Sequence, residues 1–515
     1  MQIKKITIGS RGSNLALWQA NYVKDKLSNL GIESNIKIIE NKGDKIQNLS
    51  FDKIEGKGFF TKEIENALLK NEIDLAVHSL KDLETDQPKG LCIACIPKRE
   101  DPADVLLINP NSVDESQILN IIKSPVIGTS SARRKNQLLL FREDVIIKEL
   151  RGNVPTRINK LRIQDYDAIV LAKAGLIRLK IDLSDFYVQE LPVSSFIPAP
   201  GQGALGLQVR ESDKDLKKIL EKISHKDSEE DVNFERKILN GIHGGCHSPF
   251  GVYSVKDQNG ERTSWVSYSD KVSETPVRFI SKSSDIETLV NKINSKINPF
   301  SIWISRSLAK DSIFNKLTKS SSVSLTSEPL IEMKIIKIDS VPVCDWIFIN
   351  SAFALNSIMH IKSGLKSKKI AAFGQSTAKY IQKNGLKVDF IGKGSPTNVS
   401  QGFSSMVNSN EIVFFPSSNK SLGTVESIID NRNKIILETY QTLSIDKKVE
   451  NHDFLVFTSP SNVEAFLISN KVNNQKIVSI GPSTTKALKN SGIINVLESF
   501  QSSELALADA VFSLI

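Results

Sequence analysis

A base and an acid stand side by side, Lys81-Asp82, at the close of the run Asp74-Leu-Ala-Val-His-Ser-Leu-Lys-Asp82. Leu75, Ala76 and Val77 read as a buried strand, and the chain turns polar within two residues at His78, Ser79, Lys81 and Asp82. Ligands of open α/β sheets sit outside the carboxyl ends of strands, so an ammonium and a carboxylate there form a candidate acid–base site. The plainer alternative is that Ser79 caps a helix and Lys81 and Asp82 fill its first turn. A second reactive group stands in Gly241-Ile-His-Gly-Gly-Cys246-His-Ser-Pro249. A single cysteine is most often a small buried thiol. Glycines and a proline make a poor core sequence, however, so Cys246 is expected to be accessible, with His243 and His247 able to assist its ionisation.

Arginines recur at the places where strands give way to helices. Arg11 sits in the loop Gly9-Ser-Arg-Gly-Ser13, with Ser13 as N-cap of a helix that puts Leu15, Trp18 and Tyr22 on one face and carries Gln19. A helix N-terminus behind a glycine loop offers free N–H groups to an anion. The pattern returns in Val126-Ile-Gly-Thr-Ser130-Ser131, followed by Arg133 and Arg134, then in Arg151 and Arg157, and in Arg178 behind the apolar Ala168–Ala172. One such arginine is a surface charge; several at one topological place converge on one cleft. The guanidinium fork binds carboxylates bidentately, so a ligand with several carboxylates is expected rather than a single phosphate. No Walker-type loop is present, and Gly201-Gln202-Gly203-Ala204 follows Pro198 and Pro200 instead of a strand, so it reads as a crossover between domains.

The elements that must position these groups are those of a large chain of globular composition. Its 515 residues imply three or four domains. Composition is 40% hydrophobic and 24% charged, without an apolar run long enough for a membrane helix. The opening Met-Gln-Ile-Lys-Lys-Ile-Thr-Ile-Gly reads as a strand and not a signal peptide. Four cysteines make no disulfide framework, so reduced thiols in a cytoplasm are expected. A net charge of +9 admits a polyanionic ligand, but aromatics at 7% without a basic stripe argue against nucleic acid. Zinc on Cys92, Cys95 and the His243–His247 loop is weighed and rejected. Leu91–Ile96 is apolar throughout, and strand alternation sends the two thiols to opposite faces.

Past residue 213 a charged helical stretch leads to the cysteine loop, then to Ser- and Lys-rich short strands over 255–297, with a boundary at Asn298-Pro299. The rest repeats internally. Asp345–Ser351 matches Asp453–Ser459, and Ala371–Thr377 matches Val478–Thr484, at offsets of 108 and 107 residues. Two α/β lobes of similar plan with a cleft between them follow. Thr377, Ser459 and Thr484 stand at equivalent strand ends, and no His/Asp pair accompanies a serine as nucleophilic catalysis would need.

Taken in order, the motifs over residues 1–297 resemble the hydroxymethylbilane synthase (porphobilinogen deaminase) family. They are Arg11 with Ser13–Gln19, Phe60-Thr-Lys-Glu63, Val77–Asp82, Arg99-Glu-Asp-Pro102, Gly128-Thr-Ser130 with Arg133-Arg134, Leu150–Asn153, Ala174-Gly-Leu176, Pro200–Ala204 and Gly244-Gly-Cys246. Departures are Leu83-Glu-Thr85 where the family has a proline, and Ala103 near a usual charge. Residues 300–515 resemble uroporphyrinogen-III synthases through the bilobal repeat, Glu438-Thr-Tyr440-Gln-Thr442, Phe457–Ser461 and Ile480–Thr485.

The resemblance implies two periplasmic-binding-protein-like α/β domains (1–97 with 198–212, and 98–197), a small α+β domain (213–297) and a bilobal α/β half. It implies condensation of four porphobilinogens with loss of ammonia, on a dipyrromethane held covalently by Cys246. Cyclisation of the hydroxymethylbilane, with inversion of the last ring, then gives uroporphyrinogen III. Asp82 matches the catalytic acid. Lys81, Ser79, Ser13, Ser130, Arg133 and Arg134 match cofactor-binding positions, and Arg11, Gln19, Arg151, Arg157 and Arg178 match substrate binders. In the second half Tyr440 matches the family's tyrosine, with Thr377, Ser459 and Thr484 as carboxylate binders. A monomer with no metal, membrane or nucleic-acid partner is expected. Two other readings stay open: a deaminase with an inactive C-terminal scaffold, and a two-lobed polycarboxylate-binding module.

Overall fold

The computed structural model describes residues 5–40, 61–244, 248–319, 323–421 and 423–515, which form four mixed or parallel sheets with helices and one small antiparallel sheet. The first sheet has the spatial order Glu33–Ile38, Lys5–Ser10, Leu75–Ser79, Leu205–Arg210, Leu91–Cys95. Lys5–Ser10 runs parallel to both neighbours, with Ile8 opposite Leu75 and Gly9 opposite Ala76. The fourth strand is antiparallel to those beside it and pairs Leu205 with Ser79. The second sheet has the same plan: Ile146–Lys148, Val126–Gly128, Ala168–Ala172, Asp104–Ile108, Tyr187–Leu191, again with an antiparallel fourth strand. Both sheets are covered on two faces, which is why their inner strands read as continuous apolar runs.

The chain passes between these sheets twice, over 96–103 and back over 192–204, so the glycine–glutamine loop is the crossover expected from its prolines. Its packing demands glycine. Gly203 has φ +85°, and a Cβ there would lie 2.3 Å from the Glu100 carbonyl oxygen of the outgoing crossover. The helix Lys226–Gly241 then leads to the antiparallel sheet Phe250–Lys256, Arg262–Tyr268, Val277–Ser281.

The second half builds two more sheets that interleave along the chain. One is fully parallel: Val323–Ser327, Phe300–Ile304, Phe454–Phe457, Lys476–Ser479, Val496–Glu498. The other takes 331–444, with the long strand Lys434–Ser444 between antiparallel Ile331–Ile335 and parallel Val413–Ser418. The repeated segments therefore occupy matching places, Trp346–Ile349 with Lys369–Ala372 in one sheet and Phe454–Phe457 with Lys476–Ser479 in the other.

Asn298-Pro299 divides the chain in sequence but not in packing. One core holds Phe234, Ile238, Val252, Val266 and Phe279 together with Ile302, Phe314, Val456, Leu507, Val511 and Phe512. The helix Glu504–Ser513 lies on the strand Val277–Ser281. Full burial of side chains such as Phe512 and Leu507 stabilises by roughly 2 kcal/mol each. Elsewhere Lys379 donates to Gln117 O and Asn120 Oδ1, both at 2.8 Å.

Candidate active site

The strand Leu75–Ser79 delivers its polar end to the surface because its four preceding side chains are buried. His78 is taken up by the sheet: its Nε2 lies 3.0 Å from Gln208 Oε1, and burial draws it down to about 4, so it is neutral at physiological pH. Ser79 stands at the N-cap position of the turn Leu80–Asp82, but its side chain makes no capping hydrogen bond. Its hydroxyl accepts from Gln19 Nε2 at 2.8 Å, and Gln19 is itself buried on the helix Asn14–Ser28 that Ser13 caps. A single turn, Leu80–Asp82, then leaves Lys81 half-buried with its ammonium toward Gln202, and Asp82 exposed.

Behind Lys81 lies a chain of buried polar groups. Lys81 Nζ donates to Gln202 Oε1 at 3.4 Å, and Gln202 Nε2 donates to Asp104 Oδ1 at 3.0 Å. Asp104 is wholly buried and pairs with both arginines of the helix Ala132–Phe141. Arg134 reaches Oδ1 through Nε at 3.2 Å and NH2 at 2.7 Å, and Arg133 NH2 lies 2.9 Å from Oδ2. Arg134 NH1 donates to Val170 O and Arg133 NH1 to Ile197 O, while Arg133 Nε is buried without a hydrogen-bond partner. Burial alone would raise the Asp104 carboxyl; Arg133 and Arg134 outweigh it and hold it at about 2.

Further cations gather in front of this chain. Burial draws Lys81 down to about 8, with Asp82 resisting and Arg134 adding to the fall. Burial draws Arg157 to about 10, and Arg134 and Arg151 push the same way while Asp82 opposes. Lys81, Arg133, Arg134, Arg151 and Arg157 thus share one field with Asp82 and Asp104. A cluster of cations that oppose one another's charge suits an anionic ligand, and each ligand carboxylate would relieve that repulsion.

The other arginines of the sequence reading fall around the same opening. Arg11 is near enough to His78 to oppose its protonation. Arg178 is buried, donates from NH2 to Gly203 O at 2.6 Å, and stacks 5.7 Å from the Trp18 ring, which stacks in turn on Tyr22. Arg157 Nε donates to Gly152 O at 2.7 Å. Ser130 is tied to the backbone of Leu150, donating to its carbonyl and accepting from its N–H at 3.0 and 3.1 Å. Asp104 and Gln202 were not among the expected site residues. Their signal was an acid at the head of the apolar strand Asp104–Ile108, which needs a counterion when buried. Cys246 and His247 lie outside the described residues. Burial raises the Cys95 thiol to about 12.

In the second half Tyr440 lies on Lys434–Ser444, opposite Ile335, with its ring 5.1 Å from Phe353 and only 8% exposed. Ser459 caps the helix Pro460–Ser469, accepting from Asn462 N at 3.2 Å and Nδ2 at 2.9 Å. Thr377 and Thr484 are buried in the first turns of helices that begin at Gly374 and Gly481. The exposed hydroxyls there belong to their neighbours, Ser376 and Ser483. Neither glycine cap has a side chain to satisfy the first N–H groups of its helix.

Among known proteins, residues 6–218 match the family model for porphobilinogen deaminase, dipyromethane cofactor binding domain, and 314–508 match that for uroporphyrinogen-III synthase HemD. The porphobilinogen deaminase of Clostridium novyi (strain NT) is 44% identical over 275 residues, 52% of this chain and 89% of that protein. The porphobilinogen deaminase of a Nitratiruptor species is 45% identical over 257 residues, 50% of this chain and 81% of that protein. Among solved structures, the uroporphyrinogen-III synthetase of Helicobacter pylori 26695 covers 42% of this chain and all of its own, at TM-score 0.33 and 18% identity. The periplasmic VFT2 domain of Bordetella pertussis BvgS covers 43% and 87%, at TM-score 0.28 and 10% identity.

Proposed function

The chain belongs to the porphobilinogen deaminase family and carries a uroporphyrinogen-III synthase domain behind it, and from that premise we propose how this bifunctional enzyme of tetrapyrrole biosynthesis divides its two reactions among its residues. The first reaction condenses four porphobilinogens with loss of ammonia. The second closes the hydroxymethylbilane to uroporphyrinogen III.

The carrying observation is the exposed Asp82 carboxylate set in one field with Lys81, Arg134, Arg151 and Arg157. Each pyrrole ring brings an acetate and a propionate. Lys81, Arg11, Arg133, Arg134, Arg151 and Arg157 bind these carboxylates, with Ser13, Ser79, Ser130, Gln19 and Arg178 shaping the opening. Cys246 would hold the dipyrromethane, and that group when bound would supply a nucleophilic carbon for the first substrate ring. The donor set fits it: hydrogen-bond donors and cations for its carboxylates, and one carboxylate for its pyrrole N–H groups. Asp82 takes up the N–H of the reacting ring and stabilises positive charge as ammonia leaves, with the aminomethyl nitrogen departing protonated. Lys81 is an unsuitable stabiliser for a cation and serves as carboxylate binder.

We assign the domains as 1–97 with 198–212, 98–197, 213–297 and a two-lobed 300–515. The paired sheets and their two crossovers support this division. In the second half, ring inversion needs the linear chain folded and held, so orientation supplies much of the effect. Tyr440 assists the leaving hydroxyl. The uncapped helix starts at Gly374 and Gly481 receive carboxylates, with the exposed hydroxyls of Ser376 and Ser483 in their first turns. A monomer in the cytoplasm suits this reading, and among the described residues no helix is long and apolar enough to cross a membrane.

The test is Asp82→Asn in the full chain. Porphobilinogen consumption should fall by about two to four powers of ten with an unchanged melting temperature. Near-normal consumption would remove Asp82 from the mechanism.

A further inference from the structure

Arg278 is the most enclosed charge in the interface between the halves. It sits on Val277–Ser281 with no exposed surface, and its guanidinium is gripped from two sides. On one side Nε and NH2 meet the Asp509 carboxylate at 3.1 and 3.0 Å, a bidentate pair reaching across to the last helix of the second half. On the other side NH1 donates to Ser195 O and NH2 to Ser194 O, both at 2.9 Å, on the return crossover of the first half.

That helix, Glu504–Ser513, is buried on nearly every side, so Asp509 has no solvent to turn to and depends on Arg278. The crossover beyond Ser195 is held just as tightly. Gln137 accepts from Ile197 N at 2.7 Å and donates to Ile197 O at 2.9 Å, and Arg133 donates to the same oxygen at 2.8 Å. A few residues on, Gln202 connects Lys81 to Asp104. Asp509 is therefore the far end of a continuous polar chain that runs through Arg278 and the crossover to the groups facing the cleft.

We propose that Asp509 is a positioning residue for the condensation carried out by the other half: through Arg278 it fixes the 192–204 crossover, and with it Arg133 and Gln202. The second half is then a brace on the first as well as a separate catalyst. A guanidinium released from Asp509 has to repack, and its hold on the Ser194 and Ser195 carbonyls goes with it. Misplacement of positioned groups by about an ångström costs on the order of a hundredfold in rate.

This rests on the condensation reading, so the unmodified full chain is assayed first; failure to consume porphobilinogen would sink that reading and not this one. In full-length Asp509→Asn, assayed well below its melting temperature, kcat should fall roughly tenfold or more while KM moves by less than about threefold. Amide hydrogen exchange should rise over 192–204 and stay unchanged in the strands around Leu75–Ser79. Asp509→Glu should restore part of the rate. The apolar double variant Arg278→Met/Asp509→Leu guards against mere unfolding, since a well-packed apolar pair can replace a buried ion pair at little cost in stability. It should melt near the unmodified chain yet remain slow. A double variant that melts normally and turns over normally overturns the proposal. So does a rate loss in Asp509→Asn that only mirrors its loss of folded protein, with exchange over 192–204 unchanged.

Discussion

Replacing Asp104 by asparagine removes one charge from a place where every neighbour was arranged around it. The carboxylate is wholly buried and is held at about 2, against an ordinary 3.8, by Arg133 and Arg134 working against burial. A depression of that size is worth about 2 kcal/mol of stability. The sign follows from its direction: the contribution is fully present above the unfolded value near 4 and is lost as pH falls through about 2. Asparagine keeps one carbonyl oxygen but leaves two buried guanidiniums sharing no counter-charge. Breaking a buried pair from one side commonly costs about 3–5 kcal/mol, more than the linkage figure, because the stranded cations are penalised as well. For a unit of this size the transition should move down by roughly 6–10 °C. The assay is differential scanning of full-length Asp104→Asn beside the unmodified chain at pH 7 and at pH 3. The gap between them should narrow at the lower pH, where the native carboxylate begins to be lost. A shift under about 2 °C at pH 7 would refute the argument that Asp104 holds the two arginines.

Three further outcomes are expected. Intact-mass measurement of the denatured chain should exceed the sequence mass by one two-ring pyrrole unit, and Cys246→Ser should abolish the excess; an unmodified mass with full activity would dismiss the thiol assignment. Lys81, lowered to about 8, should lose its proton as pH rises through that value, so kcat/KM for porphobilinogen should decline above about pH 8 while kcat, read on the anion-bound enzyme, declines later. Lys81→Met should lower kcat/KM at pH 7 and flatten that limb; a limb that persists in the variant would assign it to another group. Tyr440→Phe in the full chain should raise the share of isomer I over isomer III in the oxidised product without a change in melting, and an unaltered isomer ratio would excuse the tyrosine.

What the sequence made legible followed from local rules. Ser13 caps the helix Asn14–Ser28 as expected, because a hydroxyl ahead of an amphipathic run satisfies the free N–H groups. Inner strands of the two paired sheets showed as apolar runs, two of them running into glycine at Gly9 and Gly128, and the internal repeat of the second half showed as matching strand ends. What stayed hidden depended on partners far away in the chain. Ser79 looked like a cap and is instead the acceptor of Gln19, sixty residues earlier. Thr377 and Thr484 look like exposed hydroxyls at strand ends, yet they turn inward and leave Ser376 and Ser483 outside, because register on a short helix decides the face. Asp104 drew no notice at the head of Asp-Val-Leu-Leu-Ile, since only the fold reveals that the two arginines of a later helix lie against it.

The boundary at Asn298-Pro299 is the clearest case of a local signal with no tertiary counterpart. A proline after a polar stretch marks a change of element, and on that ground the halves could be separate bodies joined by a tether. The helix Glu-Leu-Ala-Leu-Ala-Asp-Ala-Val-Phe-Ser argues otherwise by its own composition. It is apolar on every side, so it must be enclosed, and its one inner charge must be met. The parallel sheet beside it covers part of that surface, and the strand Val277–Ser281 of the other half covers more, bringing Arg278. Neither partner is satisfied alone: the first half without this helix exposes Phe279 and leaves Arg278 unpaired, and the second half without the strand leaves Asp509 facing water from within an apolar surface. Cutting the chain at residue 299 would therefore not release two independent enzymes. The two halves thus share stability across one surface, and among the described residues further contacts at Lys316 with Leu140 and Glu143 and at Lys379 with Gln117 and Asn120 offer routes for coupling between the two reactions.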